Sequence, residues 1–280
     1  MAEITAANVA KLREMTNAGL MECKKALTEA AGDLNAAVDI LRKKGAASAA
    51  KKATREAKEG VIAQHIATGG RVGTIVEINC ETDFVARNES FRAFCDDVAR
   101  KLTENPSVDL EGDRTTQVSK IGENIKIARF QRLEVAGTGY VGAYIHTGAK
   151  VGVLVEVGVG NAATTSRDEF RQLVRDITLQ IAAANPTTVS REQIDPAVLA
   201  KEKEIAAEQV KGKPPQAIAK IVEGKLEKFY QTFCLVDQGF VKRNSEVTVR
   251  EHLADVARQV GDQISVTRFV RFQVGESLPG

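Results

Sequence analysis

In the first 45 positions apolar residues recur at spacings of three and four, so residues 4–45 are expected to form three short helices. Val9, Leu12 and Met15 mark the first, opened by Asn8 and ending near Asn17 and Gly19. Leu20, Cys23, Leu27 and Ala31 mark the second, which Gly32 stops. Asp33 is placed to cap a third, with Ala37, Val38 and Leu41 inward and Gly45 closing it. Residues 46–59, AASAAKKATREAKE, read as a helical linker whose Lys51, Lys52, Arg55 and Lys58 line a basic side. A solvated charged face is the simpler account of that side.

The pattern then changes to alternation, and it repeats. IATGGRVGTIVEI at 66–78 aligns without a gap on IHTGAKVGVLVEV at 145–157. Each copy predicts a β-hairpin: a short strand, a Gly-containing turn and a strand rich in Val and Ile. The glycines recur between the copies, Gly69 with Gly148 and Gly73 with Gly152, which assigns them to the turn. The same offset pairs Phe91-Arg92 with Phe170-Arg171, each at the start of a helix. The first helix should bury Phe91, Phe94, Val98 and Leu102, the second Phe170, Leu173, Val174, Ile177 and Ile181. Residues 123–136 supply a further strand by alternation.

Beyond the second copy the period is helical again. Pro196 opens a helix to about Val210, with Val198, Leu199, Ile205 and Ala206 as one stripe. Gly212, Pro214 and Pro215 make a turn, and Ile218, Ile221, Val222, Leu226, Phe229 and Phe233 stripe a second helix. The two are expected to form an antiparallel hairpin projecting from the repeat halves. A short helix at 248–261 and a strand over 264–274, returning to the second half's sheet, complete the chain.

The expected class is therefore α+β. An N-terminal three-helix domain and linker (1–55) precede two duplicated antiparallel-sheet-plus-helix halves (56–140 and 141–280), the second containing the helical hairpin 187–233.

Charge and cysteine content narrow the partners. With 39 basic and 37 acidic residues the net charge is +2, far from the basic excess that phosphate neutralisation demands, so nucleic acid is disfavoured as main partner. Cys23, Cys80, Cys95 and Cys234 have no Cys-x-x-Cys spacing and read as reduced thiols. No signal peptide or membrane-length apolar run is visible, so a cytoplasmic protein is expected.

Candidate chemistry is sparse. His65, His146 and His252 are scattered, which leaves no metal constellation and no cofactor to expect. Gly69, Gly70 and Gly73 precede no Lys-Ser or Lys-Thr and do not form a phosphate loop. No nucleophile elbow or kinase signature occurs. The expectation is a protein without covalent chemistry.

The repeat supplies an internal control. Between matched strand and helix the first copy reads Glu81-Thr82-Asp83-Phe84-Val85-Ala86-Arg87-Asn88, the second Gly160-Asn161-Ala162-Ala163-Thr164-Thr165-Ser166-Arg167. Shared architecture does not require a bulky Phe84 beside an acid. Two readings compete: Phe84 tucked into its own core with Thr82 or Asp83 capping a helix, or Phe84 exposed as a wedge beside a charge offered to a partner.

TDFVARN resembles the Thr-Asp-Phe-Val signature of the bacterial-type elongation factor Ts family. LREMTNAGLMECKKALTEAAGD resembles that family's N-terminal motif, with Asn17, Leu20 and Glu22 in place of the usual Gly, Met and Asp. KIGENIKI, VEGKLEKFY and RFVRFQVGE resemble further blocks in the expected order, from about Ile4 to Glu276. The chain runs only a few residues past RFQVGE, so the C-terminal helical module of some members is not expected.

The three N-terminal helices make a mini-domain of about forty residues that resembles ubiquitin-associated folds. The family resemblance implies a guanine nucleotide exchange factor whose partner is elongation factor Tu, in its GDP-bound and nucleotide-free states, without direct contact to the nucleotide. Thr82, Asp83, Phe84 and Val85 would enter beside the partner's Mg²⁺ site, loosening its hold on GDP. Leu12, Arg13, Met21, Cys23 and Lys24 would dock on the nucleotide domain, and Ile125 and His146 on another. As residues alone, Leu12, Met21 and Cys23 read equally well as mini-domain core, Ile125 as strand core and His146 as an exposed strand residue. Rival readings are a docking adaptor without exchange activity, an RNA-associated protein using residues 51–58, and an unrecognised enzyme.

Overall fold

The computed structural model describes residues 4–16, 18–210, 212 and 214–276. Three helices lead: α1 (Ala6–Thr16), α2 (Leu20–Glu29) and α3 (Leu34–Lys52). Val9, Leu12, Cys23, Ala26, Leu27 and Ala37 are buried together between them. Thr5 rather than Asn8 caps α1, because the Asn8 N–H donates to Thr5 Oγ1 at 3.2 Å. The expected stop at Asn17 lies outside the described residues. Asp33 caps α3 as expected, accepting from the Ala36 N–H at 2.9 Å.

Gly45 does not end α3, which runs unbroken to Lys52. It is a contact glycine: a Cβ there would stand 3.1 Å from Ser119 Oγ and 3.5 Å from Thr115 Cγ2. Both belong to a helix missed by periodicity, Glu111–Ile121, in which only Gln117 and Val118 are buried. So few apolar positions leave no 3.6-residue stripe to read.

Next in the chain come β1 (Glu59–Ile66), β2 (Val72–Cys80), α4 (Asp83–Arg87), α5 (Glu89–Glu104), α6 (the helix Glu111–Ile121) and β3 (Lys126–Glu134). The second half follows with β4 (Gly139–Ile145), β5 (Val151–Val159) and α7 (Asp168–Ala184). After these come α8 (Pro196–Glu208), α9 (Pro215–Phe233), α10 (Val249–Val260) and β6 (Ile264–Gln273). The strands make two antiparallel sheets of order β1-β2-β3 and β4-β5-β6. The sheets pack face to face through Ile62, Ile75, Leu133, Val141, Leu154 and Phe272. Phe91, Cys95, Val98 and Leu102 of α5 cover the outer face of the first. Phe170, Leu173, Ile177 and Ile181 of α7, with α10, cover the second. Of the residues expected inside these two helices only Phe94 is half-buried.

The recurring glycines divide into two jobs, which corrects the assignment of all of them to the turn. Gly69 and Gly148 sit at φ 87° and 88° with open space around them, as a tight turn requires. Gly73 and Gly152 lie where the sheets meet. A Cβ on Gly73 would stand 2.5 Å from Ile66 Cδ1 and 2.8 Å from Val141 Cγ1; one on Gly152, 2.5 Å from Ile62 Cγ2.

Helices α8 and α9 pack on each other as a hairpin. Its apolar stripe is only partly covered: Val198 and Ile205 are exposed, Ala206 is buried, and none of the α9 side chains described, 216–233, is buried. The periodicity marked the contact between the two helices, which is too narrow to bury long side chains. At the root Arg191 bonds Glu227 and Asp237 and lies 4.3 Å over the Tyr230 ring.

Candidate functional site

The turn between β2 and α5 is a single helical turn, α4, rather than a loop. Thr82 caps it, accepting from the Val85 N–H at 3.3 Å. Ala86 points inward and is buried, while Phe84 points outward and is 81% exposed. The two readings of the sequence therefore combine: Thr82 caps a helix and Phe84 stays in solvent. Fully burying such a side chain is worth about 1.5–3 kcal/mol, a gain this structure forgoes. Asp83 pairs with Arg87 at 2.9 Å, both side chains substantially exposed. An exposed pair of this kind contributes at most about 1 kcal/mol, so Asp83 is easily re-partnered.

What holds the turn comes from the far end of the half. The Glu81 and Thr82 N–H groups donate to Glu123 Oε2 at 3.0 and 3.1 Å, and the Thr82 hydroxyl donates to Oε1 at 2.7 Å. In return the Asn124 N–H donates to Glu81 Oε1 at 2.6 Å. Arg92 Nε closes the other side on the Ala86 carbonyl at 3.1 Å. Beneath it the Cys80 thiol donates to the Thr82 carbonyl at 3.2 Å, and burial pushes its pKa up to about 12. That thiol is therefore an inert packing group.

The sequence reading missed Glu123, yet the signal for it was there. IGENIKIARF at 121–130 matches VGDQISVTRF at 260–269, with Gly122, Ile125, Arg129 and Phe130 against Gly261, Ile264, Arg268 and Phe269. Asp262 stands opposite Glu123, and it accepts from the Gly160 and Asn161 N–H groups at 3.1 and 2.9 Å and from the Thr164 hydroxyl at 2.6 Å. These bonds, the Thr164 hydroxyl's first, hold its carboxyl below the usual carboxylate range.

The other expected contact residues fall into two groups. Met21, Arg13 and Lys24 are exposed, and Met15 and Leu20 add to an apolar patch around the α1–α2 junction. Leu12, Cys23 and Ile125 are wholly buried, so as surface contacts they are corrected to core residues. Their apolar side chains complete the mini-domain and first-half cores instead. His146 is exposed and bonds the Tyr144 hydroxyl through Nδ1 at 2.9 Å. It lies in the β4–β5 turn, apart from α4. Among the described residues no group of His, Cys, Asp and Glu is placed to hold a metal ion, and no helix is long and apolar enough to cross a membrane.

These features define an α+β protein with two packed sheets that presents an acidic–aromatic turn outward on a braced support. The model of one family, Elongation factor TS, matches residues 81–276. Similar proteins include elongation factor Ts of Symbiobacterium thermophilum, 45% identical over 99% of this chain and 94% of the relative. That of Nitratidesulfovibrio vulgaris is 40% identical over 98% of this chain and 96% of its own length. That of Clostridium perfringens is 42% identical over 98% and 94%. The chain belongs to the elongation factor Ts family, and is a translation elongation factor of the nucleotide-exchange kind.

Proposed function

We propose that the protein binds elongation factor Tu in its GDP-bound and nucleotide-free states and promotes release of GDP, so that GTP can bind. The observation that carries this is Phe84, left in solvent on a turn that every neighbouring bond holds still. Asp83 and Phe84 enter beside the partner's Mg²⁺ site and shift its elements without touching the nucleotide. Mg²⁺ neutralises phosphate charge, so disturbing its ligands weakens the hold on GDP. Met21, Arg13 and Lys24, with the apolar patch beside them, dock on the nucleotide domain, and His146 meets another partner domain. Gripping at separate points helps force a rearrangement that one side chain could hardly drive.

Linkage fixes the direction of the cycle. A factor that lowers nucleotide affinity is itself bound less tightly, by the same ratio, once nucleotide is present. Incoming nucleotide therefore expels it, with no covalent bond made or broken. The work is cytoplasmic, in translation.

We read residues 1–55 as a ubiquitin-associated-like arm and 56–140 and 141–280 as copies of one unit, with 187–233 inserted in the second. Support for the copies is the recurrence of a buried glutamate paired with an arginine of the neighbouring strand, Glu77–Arg129 at 2.8 Å and Glu156–Arg268 at 2.7 Å, each beside a β-bulge.

The test is release of fluorescent GDP from elongation factor Tu. Phe84→Ala and Asp83→Ala should slow it while circular dichroism stays unchanged. Normal release by both variants would remove this turn from the mechanism.

A further inference from the structure

We infer that Glu123 is the positioning residue of the exchange turn. It touches no partner, and it decides where Phe84 and Asp83 stand. The inference rests on the exchange reading above and extends it to a residue 39 positions away from Phe84 in the chain.

One carboxylate takes three hydrogen bonds from two consecutive residues, Glu81 and Thr82, immediately before α4. Two backbone N–H groups on a single oxygen fix the direction of the chain as it leaves β2. The Thr82 hydroxyl then acts twice: it donates to Glu123 and accepts from the Val85 N–H, so the cap of α4 is oriented by the same carboxylate. Charge-assisted bonds of this kind are roughly twice as strong as neutral ones. Phe84 lies inside the turn that Thr82 caps, and a shift of its support moves the ring directly.

The same node reaches the N-terminal arm. Asn124 donates its backbone N–H to Glu81 and its side-chain amide to the Arg55 carbonyl at 2.7 Å, just past the end of α3. Arg55 itself approaches Glu81 at 3.5 Å. Glu123 and Asn124 thus tie the exchange turn to the end of α3, against which α1 and α2 with the other docking surface pack, and so help set the spacing between two points of grip.

The second half shows which part of this is mere scaffolding. Asp262 brackets the equivalent N–H groups there, but its turn carries Ala162 and Ala163 where the first carries Asp83 and Phe84. Removing Asp262 loosens a turn with nothing to position, so Asp262→Ala is the matched control.

The experiment measures GDP release from elongation factor Tu against factor concentration, separating the maximal rate from the half-saturating concentration. Glu123→Ala should lower the maximal rate by about tenfold, in line with the cost of misplacing a reacting group by a fraction of an ångström. The half-saturating concentration should move less than about threefold, because the remaining docking surfaces are intact. Glu123→Gln keeps one oxygen for the two N–H groups but offers an NH₂ to the Thr82 hydroxyl, and should fall between. Asp262→Ala should lower thermal stability and leave the maximal rate unchanged.

A folded Glu123→Ala protein with a normal maximal rate overturns the inference, and so does an equal loss in Asp262→Ala. If Glu123→Ala does not fold, Glu123→Gln decides alone, and a normal maximal rate there overturns the inference. Phe84→Ala run in parallel separates the failures. If Phe84→Ala is slow while Glu123→Ala is normal, only the positioning role falls. If Phe84→Ala is itself normal, the exchange reading falls and takes this inference with it.

Discussion

The turn after β2 and the turn after β5 are built by the same rules and point different chemistry at solvent. Each begins with two N–H groups bonded to a carboxylate that follows a left-handed glycine, Gly122 with Glu123 and Gly261 with Asp262. Each is closed by the arginine after the first buried Phe of the next helix: Arg92 on the Ala86 carbonyl, Arg171 on the Thr165 carbonyl. Between these braces the first half places a helical turn with Phe84 outward, the second a 3-10 turn of Ala162–Ser166. Equal support with unequal display separates what the fold needs from what the first half adds. The second half folds its turn without an aromatic side chain at that place, so the shared support does not call for Phe84.

The strongest way to break that comparison is to make the first turn into the second. The triple variant Asp83→Ala, Phe84→Ala, Val85→Thr gives the first turn the residues of Ala162, Ala163 and Thr164 while leaving Glu123 and Arg92 in place. GDP release should fall toward the rate without factor, a loss of up to about 150-fold if coupling reaches the top of its usual range. The melting temperature should fall only modestly: the changes at Asp83 and Phe84 should stay within about 0.5 kcal/mol, and the remaining cost comes from the half-buried Val85, which packs against the first-half core. The reverse change, Ala162→Asp with Ala163→Phe, should not restore exchange in that background. If it does, either half serves and the asymmetry means nothing.

Much of this was legible in the sequence, and the limits are physical. Strong periodicity gave the hairpins, the core faces of α5 and α7 and the strand over 264–274, because those segments bury one whole face. Helix α6 escaped because it buries little, and the α8 stripe was overread because that hairpin packs on itself rather than on a core. The turn after β2 stood out when the two matching segments were compared, but whether Phe84 faced in or out depended on a cap and a distant carboxylate that no local window contains. Leu12, Cys23 and Ile125 show the converse: matching a motif did not make them surface residues.

A second test concerns the glycines that the halves share. Gly73 faces Val141 and Leu154 of the other sheet, and Gly152 faces Ile62 and Ile75. Gly73→Ala and Gly152→Ala should each cost about 1–3 kcal/mol through overpacking between the sheets. Gly69→Ala meets open space and should cost only the left-handed backbone term, about 1–2 kcal/mol. Urea unfolding measures all three. Equal losses for Gly73→Ala and Gly152→Ala support a symmetric seam; a loss in one alone shows that one half yields to the other.

The smallest expected effect uses a position where the halves part. On α6 Asp113 lies at the surface, paired with Lys101 at 2.6 Å; the corresponding residue of α10 is His252, stacked on Phe240 with centroids 4.2 Å apart. Burial lowers the His252 pKa, outweighing Asp176, whose Oδ2 is 3.6 Å from Nε2; Arg243 lowers it further and Asp255 raises it. Lys242 reaches the same Asp176 at 2.5 Å and competes for its charge. With the folded pKa below the ordinary value of about 6.5, the unfolded chain binds the proton more readily, so folding loses stability as pH falls. Stability from this group is complete above about pH 6.5 and declines below it, through the folded pKa. Melting of the intact protein at pH 7.5 and 5.5 should show a modest drop at the lower pH, about 2–4 °C for each kcal/mol lost. His252→Gln should flatten that slope, while Asp113→Asn, at the matching site of the first half, should leave it in place. A slope that survives His252→Gln would place the titrating group elsewhere and remove this difference between the halves.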